Sequence, residues 1–514
     1  MSRARFGMSI DYVTGATPKA TTVICSDAAA TIPADIVNFD GSAISGSVVS
    51  LVPRYAPLAF RGPDGVGTLY CVPTTASTVY PLTATLNTPS SVSPFFNVKD
   101  YGAKGNGSTD DTAAFKAALV AGAGGTVYVP GGIYMINADK ANGFSVVMDR
   151  PYTHLLLEPS ANLKAITNAL TRYGVVTVIA ADCTITGGTI TGDLDTHTGT
   201  TGEWGFCIDV WEAAHRLKVT GTKVTKAWGD GICIADRPGI GAARPADISL
   251  EGVIADDNRR QGLSIISALR PQVIGGSYIN TGVTKVTPPG AGIALEPNPS
   301  PSEQNITDAQ VSDVICSGNA GRGLYLHAQG QELTAAISNV RATNNLTDGF
   351  ASDSSSNVSF TGCQATGNTG DGYSLAASST RPGILVSCTA TLNTRFGFGV
   401  SASDMILSAC HAQHNAASGF YLDVAGSRNT LSGCTTKGNC TTSTTLTRDI
   451  EVFASYSTLV GIVYDAGQNA TKPTHGINIR SGAVLCAVVG CIPRGAYSVQ
   501  PYFGQTDTII TSTP

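Results

Sequence analysis

The chain reads Asn319-Ala320-Gly321-Arg322-Gly323-Leu324-Tyr325-Leu326 and, one repeat later, Asn345-Leu346-Thr347-Asp348-Gly349-Phe350-Ala351-Ser352. The shared pattern is an Asn, a Gly four residues later and an alternating apolar segment. It recurs at Asn258, Asn368, Asn393 and Asn415. Successive Gly positions from Gly323 to Gly419 are 26, 23, 25 and 22 residues apart, and the series extends back through Gly205, Gly231, Gly262 and Gly292. Self-similarity at such a period indicates a solenoid.

Apolar residues one and three positions after each Gly predict a strand with one buried face. Examples are Leu263/Ile265, Ile293/Leu295 and Phe398/Val400. A second short strand precedes each Asn, as at residues 358–360 and 405–407. Since Asn and Gly tolerate positive φ, we expect the Asn and Gly of the repeat at sharp turns between strands. The sequence therefore predicts an all-β chain of stacked β-coils, a parallel β-helix.

The cysteines occupy a fixed position in the repeat. Cys363, Cys388, Cys410 and Cys434 each lie five residues before the Asn, where other coils have Val253, Val314 and Val340. A position that accepts Val or Cys is an interior apolar position, so we predict buried thiols. None of the 13 Cys shows a CxxC or zinc spacing, so the sequence predicts no metal, no cofactor and no disulfide framework. The Asn column is predicted to be a ladder of stacked amides.

Composition limits the function classes. The 514 residues are only 13% charged and carry a net charge of -5, which argues against nucleic acid or an anionic membrane as partner. The longest apolar run, near Ala483 to Ile492, is too short to span a bilayer. Met1 to Gly7 is not followed by an apolar segment, so we expect no secretory signal.

Residues 95 to 136 contain the most specific text in the chain, including Phe96-Asn97-Val98-Lys99-Asp100-Tyr101-Gly102 and Gly124-Gly125-Thr126-Val127-Tyr128-Val129-Pro130-Gly131-Gly132. Between them, Thr109, Asp110 or Asp111 can cap a helix whose apolar face is Ala114, Phe115, Ala118 and Leu119, with Gly122 ending it. This block resembles the entry segment of the pectate-lyase-like superfamily, the right-handed parallel β-helix enzymes that include many phage tailspikes. It departs from the family at Asn106, where members usually carry Asp.

Four regions follow from these patterns. Residues 1–73 form a small N-terminal β module, 74–94 a linker rich in Pro, Ser and Thr, 95–498 the β-helix with its short capping helix, and 499–514 a tail. Within the module, Gly62-Pro63-Asp64-Gly65 is a strong turn signal. The surrounding segment is similar to one found in N-terminal modules of phage tail proteins, which implies attachment to other tail proteins.

One candidate site lies at residues 203–237, which hold all three tryptophans, Trp204, Trp211 and Trp228, near Glu203, Asp209, Glu212, Asp230 and Asp236. Because side chains alternate along a strand, Asp209 and Trp211 are expected to point outward. An exposed aromatic ring can cover the apolar face of a sugar. Aligning coils on Gly205 and Gly231 places Asp209 near Asp236, one coil away. Carboxylates about 5 to 5.5 Å apart suit a retaining glycosidase and about 6.5 to 9.5 Å an inverting one. Glu203 with Asp230 is a second pair, and Glu212 is within reach of Asp236.

A rival site lies further along the same face. Glu296 and His327 occupy the fourth position after their Gly, with Tyr325 beside His327 and Arg322 just before it. Tyr, His and Arg together suit β-elimination of uronate polymers, because one group takes the C5 proton and a cation neutralises the carboxylate. The alternative is that these are ordinary outward residues of a long surface.

The leading hypothesis is a phage tailspike or tail receptor-binding protein that binds and depolymerises a bacterial surface polysaccharide. It would be located in the virion tail, act at the bacterial cell surface, and form a homotrimer, as the family resemblance implies. A non-enzymatic adhesin on the same scaffold and a free polysaccharide lyase or hydrolase are the alternatives.

Overall fold

The computed structural model describes residues 95–138, 143–211, 213–236, 244–299, 304–353, 357–376, 383–442, 448–467, 473–495 and 497, together with short strands before residue 95 and after residue 499. The chain divides into two compact units, residues 1–93 and 94–514.

In the first unit all strand pairs are antiparallel. Thr22–Cys25 pairs with Val48–Val49 and with Leu69–Pro73, which pairs in turn with Tyr80–Leu82. The remaining pairs are Ile36–Asn38 with Leu58–Phe60 and Ser9–Ile10 with Ala84–Thr85. The segment 74–94, expected to be a linker, contains the strands Tyr80–Leu82 and Ala84–Thr85, which pair within this unit.

The second unit is a β-solenoid of three sheets whose strands are all parallel. We call them the groove sheet, the amide sheet and the third sheet. The groove sheet contains Phe144–Met148, Arg172–Val178, Trp204–Val210, Asp230–Ile234, Gln261–Ile265, Ala291–Leu295, Leu324–His327, Phe350–Asp353, Tyr373–Ala376, Phe398–Val400, Phe420–Leu422, Arg448–Val452, His475–Ile479 and Gln500–Phe503. The amide sheet, which precedes the Asn column, contains Asn106–Asp110, Gly132–Ile136, Ala161–Ala165, Thr189–Thr191, Lys223–Thr225, Ile254–Asp256, Ser277–Ile279, Ile315–Ser317, Arg341–Thr343, Gln364–Thr366, Thr389–Thr391, His411–Gln413, Thr435–Lys437, Val463–Asp465 and Ile492–Arg494.

The third sheet completes each coil. It contains Phe95–Asn97, Thr126–Val129, His154–Leu157, Thr184–Thr186, Lys218–Thr220, Ser249–Glu251, Ala268–Leu269, Gln272–Ile274, Ile306–Ser312, Leu333–Ser338, Asn357–Thr361, Ile384–Val386, Ile406–Ser408, Thr430–Ser432, Thr458–Val460, Ala487–Val489 and Ile509–Thr511. The last strands of the groove and third sheets, Gln500–Phe503 and Ile509–Thr511, continue the parallel pairing into the segment expected to be a tail.

Stacked rows of apolar side chains fill the solenoid. On the groove sheet, Phe350, Tyr373, Phe398 and Phe420 stack with ring centroids 4.6 to 4.8 Å apart. Cys363, Cys388, Cys410 and Cys434 are fully buried free thiols, and their Val counterparts in other coils are fully buried as well. The predicted interior position for Val and Cys is confirmed.

The Asn column is a continuous ladder. Each Asn from Asn319 to Asn415 donates its side-chain N–H to the carboxamide oxygen of the next Asn at 2.9 Å. The ladder ends when Asn439 Nδ2 donates to Asp449 Oδ1 at 2.8 Å. Each amide oxygen also accepts the backbone N–H of the preceding Asn, as from Asn345 to Asn368 at 3.0 Å. The ladder thus satisfies buried backbone groups at the turn, and the structural prediction is confirmed.

The sequence predicts positive φ at the Asn and the Gly of the repeat, and the structure places it at a different residue. The residue before each Asn has positive φ: Gly318, Asn344, Gly367, Leu392 and His414 have φ of 52° to 67°. The repeat Gly is needed for close approach instead. A Cβ on Gly349 would lie 2.8 Å from both Asn368 Nδ2 and the carbonyl oxygen of Gly372 in the next coil.

The predicted helix spans Thr112–Ala121 and buries Ala114, Phe115, Ala118 and Leu119. Its first turn is stabilised by Asp110, whose Oδ1 accepts from the Thr112 backbone N–H at 3.0 Å. Asp111, at the N-cap position, accepts instead from the backbone of Lys104 and Gly105. The helix contacts Phe95–Asn97 and Phe144–Met148, the first strands of their sheets. Asn106 accepts from the backbone of Ser108 and Thr109, so it shapes a local turn.

Asp449 makes the stability of the ladder depend on pH. Burial raises the pKa of Asp449 from 3.8 to about 7, against hydrogen bonds from Thr436 and Asn439 that favour the charged form. A raised folded-state pKa means that stability is fully present below pH 3.8 and is lost as pH rises through about 7.

We therefore expect the Asp449→Asn variant to gain stability relative to the parent chain as pH rises. The gain should be about 1.4 kcal/mol per pH unit between about pH 4 and 7, because in this range the Asp449 carboxyl of the parent is ionised in the unfolded chain but protonated in the fold, whereas Asn does not titrate. Denaturant unfolding at pH 4, 5.5, 7 and 8.5 measures this difference. A difference between the two proteins that does not change with pH would show that Asp449 is not neutral in the fold.

Candidate functional site

We call the outer face of the groove sheet the groove face. Its middle row runs through Asp209, Cys233, Ser264, Ala294, Tyr325, Ala351, Ser374, Gly399, Tyr421, Glu451 and Asn478 by direct strand pairing. Ala291, Ala294, Tyr325 and Ala351 form an apolar cluster separate from the core. Residues one coil apart in sequence thus become neighbours about 4.8 Å apart on this face.

The predicted pair of Asp209 and Asp236 is not assembled. Ile208 pairs with Ile232, so Gly205 aligns with Gly229 and not with Gly231, and Asp209 lies opposite Cys233. Asp236 is three residues further along, roughly 10 Å by strand geometry. Asp209 is 1% exposed, with Arg172 Nη2 3.5 Å from its Oδ2. Asp236 instead accepts a hydrogen bond from Gln304. Glu212 lies outside the described residues.

Two of the three tryptophans are not surface platforms. Trp211 has the predicted outward parity but is only 4% exposed, because its ring packs against Phe144 with centroids 5.0 Å apart. Trp228 is buried between His197, 4.0 Å away by ring centroid, and Arg259, whose guanidinium carbon is 3.6 Å from the ring. Trp204 is 48% exposed and is the one tryptophan positioned to contact a ligand.

Arg260 gathers the other predicted carboxylates. Its guanidinium lies 3.8 Å from Glu203 Oε2, 3.2 Å from Asp230 Oδ2 and 2.9 Å from Glu296 Oε1. Glu296 Oε1 also accepts from Gln261 Nε2 at 2.6 Å and Ser264 Oγ at 3.2 Å. Burial raises the pKa of Asp230 to about 7, and Arg260 opposes the rise. Asp230 can therefore hold a proton near neutral pH.

The rival site is brought together by the fold. Tyr325 and His327 stack with centroids 5.2 Å apart, and Arg322 covers the Tyr325 ring at 4.3 Å. Tyr325 donates its hydroxyl to Asp353 Oδ2 at 2.6 Å, and His327 Nδ1 contacts the other oxygen of Asp353. Glu296 follows Leu295, which pairs with Leu326, so Glu296 lies one coil from His327. We call Arg322, Tyr325, His327 and Asp353 the tyrosine–histidine site.

This site combines reactive groups with access. The side chains of His327, Asp353 and Arg322 are 32%, 37% and 32% exposed around the more buried Tyr325, which is 7% exposed, whereas Asp230 and Glu296 are at most 8% exposed. Because a carboxylate only accepts, neutral His327 donates from Nδ1 to Asp353 and keeps the Nε2 lone pair for a substrate proton. Burial and the Asp353 carboxylate raise the pKa of Tyr325, which keeps its hydroxyl protonated. The site thus offers a base, a proton donor and a cation.

Sequence reasoning missed Asp353 and Arg260. Asp353 lies four residues after Gly349, the same offset as Glu296 from Gly292 and His327 from Gly323, so the repeat itself could have found it. Arg260 lies two residues before its Gly, and we find no sequence signal that would have joined it to three carboxylates on different coils.

Other classes of site are not seen in the described coils. No set of three or more His, Cys, Asp or Glu side chains in them is grouped so as to hold a metal ion. Within the described part of the chain, no helix has the length and apolar character needed to cross a bilayer.

Two family models match the chain. The model described as "Right handed beta helix region" matches residues 292–471, and "Rhamnogalacturonase A/epimerase, pectate lyase-like" matches residues 95–177. The matches confirm a right-handed β-helix protein and the resemblance of its entry block to pectate-lyase-like proteins.

A curated relative matches a short segment of the chain, and solved structures match most of it at low sequence identity. "Alginate lyase 7" of Azotobacter vinelandii is 47% identical over 57 residues, which are 10% of this chain and 7% of that protein. The solved Dettilon tailspike protein has a TM-score of 0.47 at 14% identity, covering 76% of this chain and 69% of that one. The tailspike of Acinetobacter baumannii bacteriophage Fri1, titled a capsular polysaccharide depolymerase, has a TM-score of 0.41 at 10% identity, covering 86% and 71%.

The tryptophans give a direct test of this geometry. We expect Trp211→Ala to lower the free energy of unfolding by about 3 to 5 kcal/mol, because it removes a buried ring. Trp204→Ala should change it little, because that ring is 48% exposed. Thermal and denaturant unfolding of the two variants check this, and equal losses would contradict the placement of Trp211.

Proposed function

We propose that this chain binds an acidic bacterial surface polysaccharide along the groove face and cleaves it by β-elimination at the tyrosine–histidine site. The observation that carries the proposal is the shared carboxylate of Asp353, which contacts Tyr325 and His327 beside Arg322. The Arg322 side chain is 32% exposed, and its Nε lies 3.7 Å from Asp348 Oδ2. A segment of the chain is also 47% identical to part of a protein named an alginate lyase, although that segment is short.

The residues suggest a consistent sequence of proton transfers. Arg322 neutralises the sugar carboxylate and makes the neighbouring C5 proton more acidic. His327 Nε2 takes that proton, the bond from C4 to the leaving oxygen breaks, and Tyr325 supplies a proton to the leaving oxygen. A double bond between C4 and C5 forms, and solvent restores the proton states of Tyr325 and His327.

Hydrolysis is a second candidate that a specific observation favours. Asp230, with its pKa near 7, lies with Glu203 and Glu296 around Arg260, and a carboxyl that keeps its proton at neutral pH is what a general acid needs. Burial of Asp230 at 1% exposure makes this the weaker candidate, because substrate must reach the acid.

We also propose that the protein works in a phage tail, with the N-terminal module, predicted at residues 1–73, attaching to other tail proteins. The separate N-terminal unit, residues 1–93, and the entry block that matches a pectate-lyase-like family model support this. The first alternative is a non-enzymatic adhesin on the same scaffold. The second is a free polysaccharide lyase.

We expect His327→Ala and Asp353→Asn each to lower the cleavage rate by about 10²-fold or more, because each removes part of the proton-transfer pair. The folded state should be retained, since both side chains are about one-third exposed. His411→Ala is the matched control, because His411 is an exposed His hydrogen-bonded to Thr435 on the amide sheet. Absorbance of the new double bond and release of reducing ends are measured together on host polysaccharide.

The possible results of that assay distinguish the lyase from the hydrolase and the adhesin. Reducing ends without absorbance would select hydrolysis, binding without either signal would select the adhesin, and full activity in His327→Ala would remove the tyrosine–histidine site.

We further propose a homotrimer, with the outer face of the third sheet as its contact. Among the described strands from Leu333–Ser338 to Ala487–Val489, the outward positions of this sheet carry no charged residue. Ile384, Ile406, Val460 and Val489 are each 36 to 40% exposed there. An uncharged, partly apolar β face can pack on copies of itself around an axis.

We expect light scattering at micromolar concentration to return three times the chain mass of 52.7 kDa. Ile406→Lys should lower the assembled fraction, because it would bury an unpaired charge. Leu346→Lys, at a 62% exposed position outside this face, is the matched control. A mass near that of one chain for the unmodified protein would reject the trimer.

A further inference from the structure

Aromatic rings return to the groove face four coils beyond Tyr325. Phe396 and Tyr421 stack with centroids 4.2 Å apart and an interplanar angle of 12°, and Phe453 lies 5.6 Å from Tyr421. Tyr421 occupies the same middle row as Tyr325, and Phe453 follows Val452, one coil after Leu422. Tyr421 and Phe453 are half-buried, so part of each ring faces solvent.

Arginines surround these rings. The guanidinium carbon of Arg395 is 5.3 Å from the Phe396 centroid, and that of Arg480 is 5.2 Å from the Phe453 centroid. Their side chains are 60% and 32% exposed. We call Arg395, Phe396, Tyr421, Phe453 and Arg480 the arginine–aromatic site.

The arginines of the site lie among carboxylates. Arg395 lies 3.6 Å from Asp371, while Arg480 and Arg448 share one carboxylate, Glu451, at 2.6 and 3.7 Å. Burial, together with the carboxylates of Asp423 and Glu451, raises the pKa of the Tyr421 hydroxyl. Arg395 keeps most of its surface in solvent, so its donors can reach an added anion.

A floor of small residues joins this site to the tyrosine–histidine site. Between Tyr325 and Tyr421 the middle row consists of Ala351, Ser374 and Gly399. Four coils separate the two tyrosines, which is about 19 Å at 4.8 Å per coil. A row of this length with an aromatic residue at each end fits an extended oligosaccharide better than a single sugar.

We propose that the arginine–aromatic site binds a carboxylated sugar residue of the polysaccharide, at a distance from the bond that is cleaved. The apolar face of the sugar lies on the Tyr421 and Phe453 rings, and its carboxylate accepts from Arg395 and Arg480. The assignment of this site as distal rests on the proposed function, whereas binding of an acidic glycan here does not.

The test compares binding and turnover in the full chain. The probes are octasaccharides of galacturonate, mannuronate and glucuronate, the same octasaccharides after carboxyl reduction, and the corresponding disaccharides. Arg395→Gln and Tyr421→Ala should each weaken binding of the preferred octasaccharide about tenfold, equal to about 1.4 kcal/mol. Turnover of short substrates should stay unchanged, and the octasaccharide affinity of the unmodified protein should fall with salt.

Arg428→Gln is the matched control, because Arg428 is 59% exposed and paired with Asp404 on another face. Melting temperatures exclude unfolding as the cause, and Arg395→Gln remains informative if Tyr421→Ala does not fold. Equal octasaccharide affinity in the parent chain and Arg395→Gln, equal binding of the carboxyl-reduced octasaccharides, or no binding of any oligouronate by the parent would overturn the proposal. Binding that depends on Arg395 without any cleavage would reject the lyase and leave this site standing.

Discussion

The amide ladder is the constraint on which the rest of the solenoid depends. A parallel coil must turn back at a fixed place in every repeat, and the turn leaves backbone N–H and C=O groups buried away from water. The carboxamide of Asn368 satisfies two of these groups at once, because it accepts from the backbone N–H of Asn345 and donates to the carbonyl of Ala342. It also accepts from the side chain of Asn345 and donates to that of Asn393, which joins the coils into one ladder. Every coil with this Asn therefore begins its groove-sheet strand at the same height, and outward residues fall into straight rows.

Straight rows explain how a chain with few charges builds a concentrated site. Asp353 and His327 are 26 residues apart in sequence, yet pair directly across neighbouring strands. The same stacking buries charged side chains, which is unfavourable without partners. Here one buried group pairs with several groups of opposite charge. Arg260 serves Glu203, Asp230 and Glu296, and Glu451, with no exposed surface, is held by Arg448 and Arg480. Removing one partner of such a group leaves an uncompensated buried charge. These ion-pair clusters therefore hold the side chains of the groove face in fixed positions.

The fold could be predicted from sequence because the same residue pattern occurs in many coils. The Val and Cys position and the Asn ladder each appear in many coils, so an error in one coil does not change the conclusion. The site depends on single coils, and there prediction failed where local register changed. Gly205 is offset by two residues from the next coil's alignment, which separates Asp209 from Asp236. The alternation of side chains along the strand correctly predicts that Trp211 points outward, but it cannot show that Phe144 covers the ring. Where register was regular, from Gly292 to Gly349, the same counting brought Glu296, Arg322, Tyr325 and His327 together.

The central claim is that an acidic glycan lies along the groove face from Tyr325 to Tyr421. Hydrogen–deuterium exchange with and without an excess of the preferred octauronate tests it most directly, because backbone protection reports the bound surface without assuming a reaction. The account predicts slower exchange in Leu324–His327, Phe350–Asp353 and Phe420–Leu422, with no change in Ile384–Val386 and Ile406–Ser408 on the third sheet. Protection confined to residues 203–236, or to the third sheet, would contradict it.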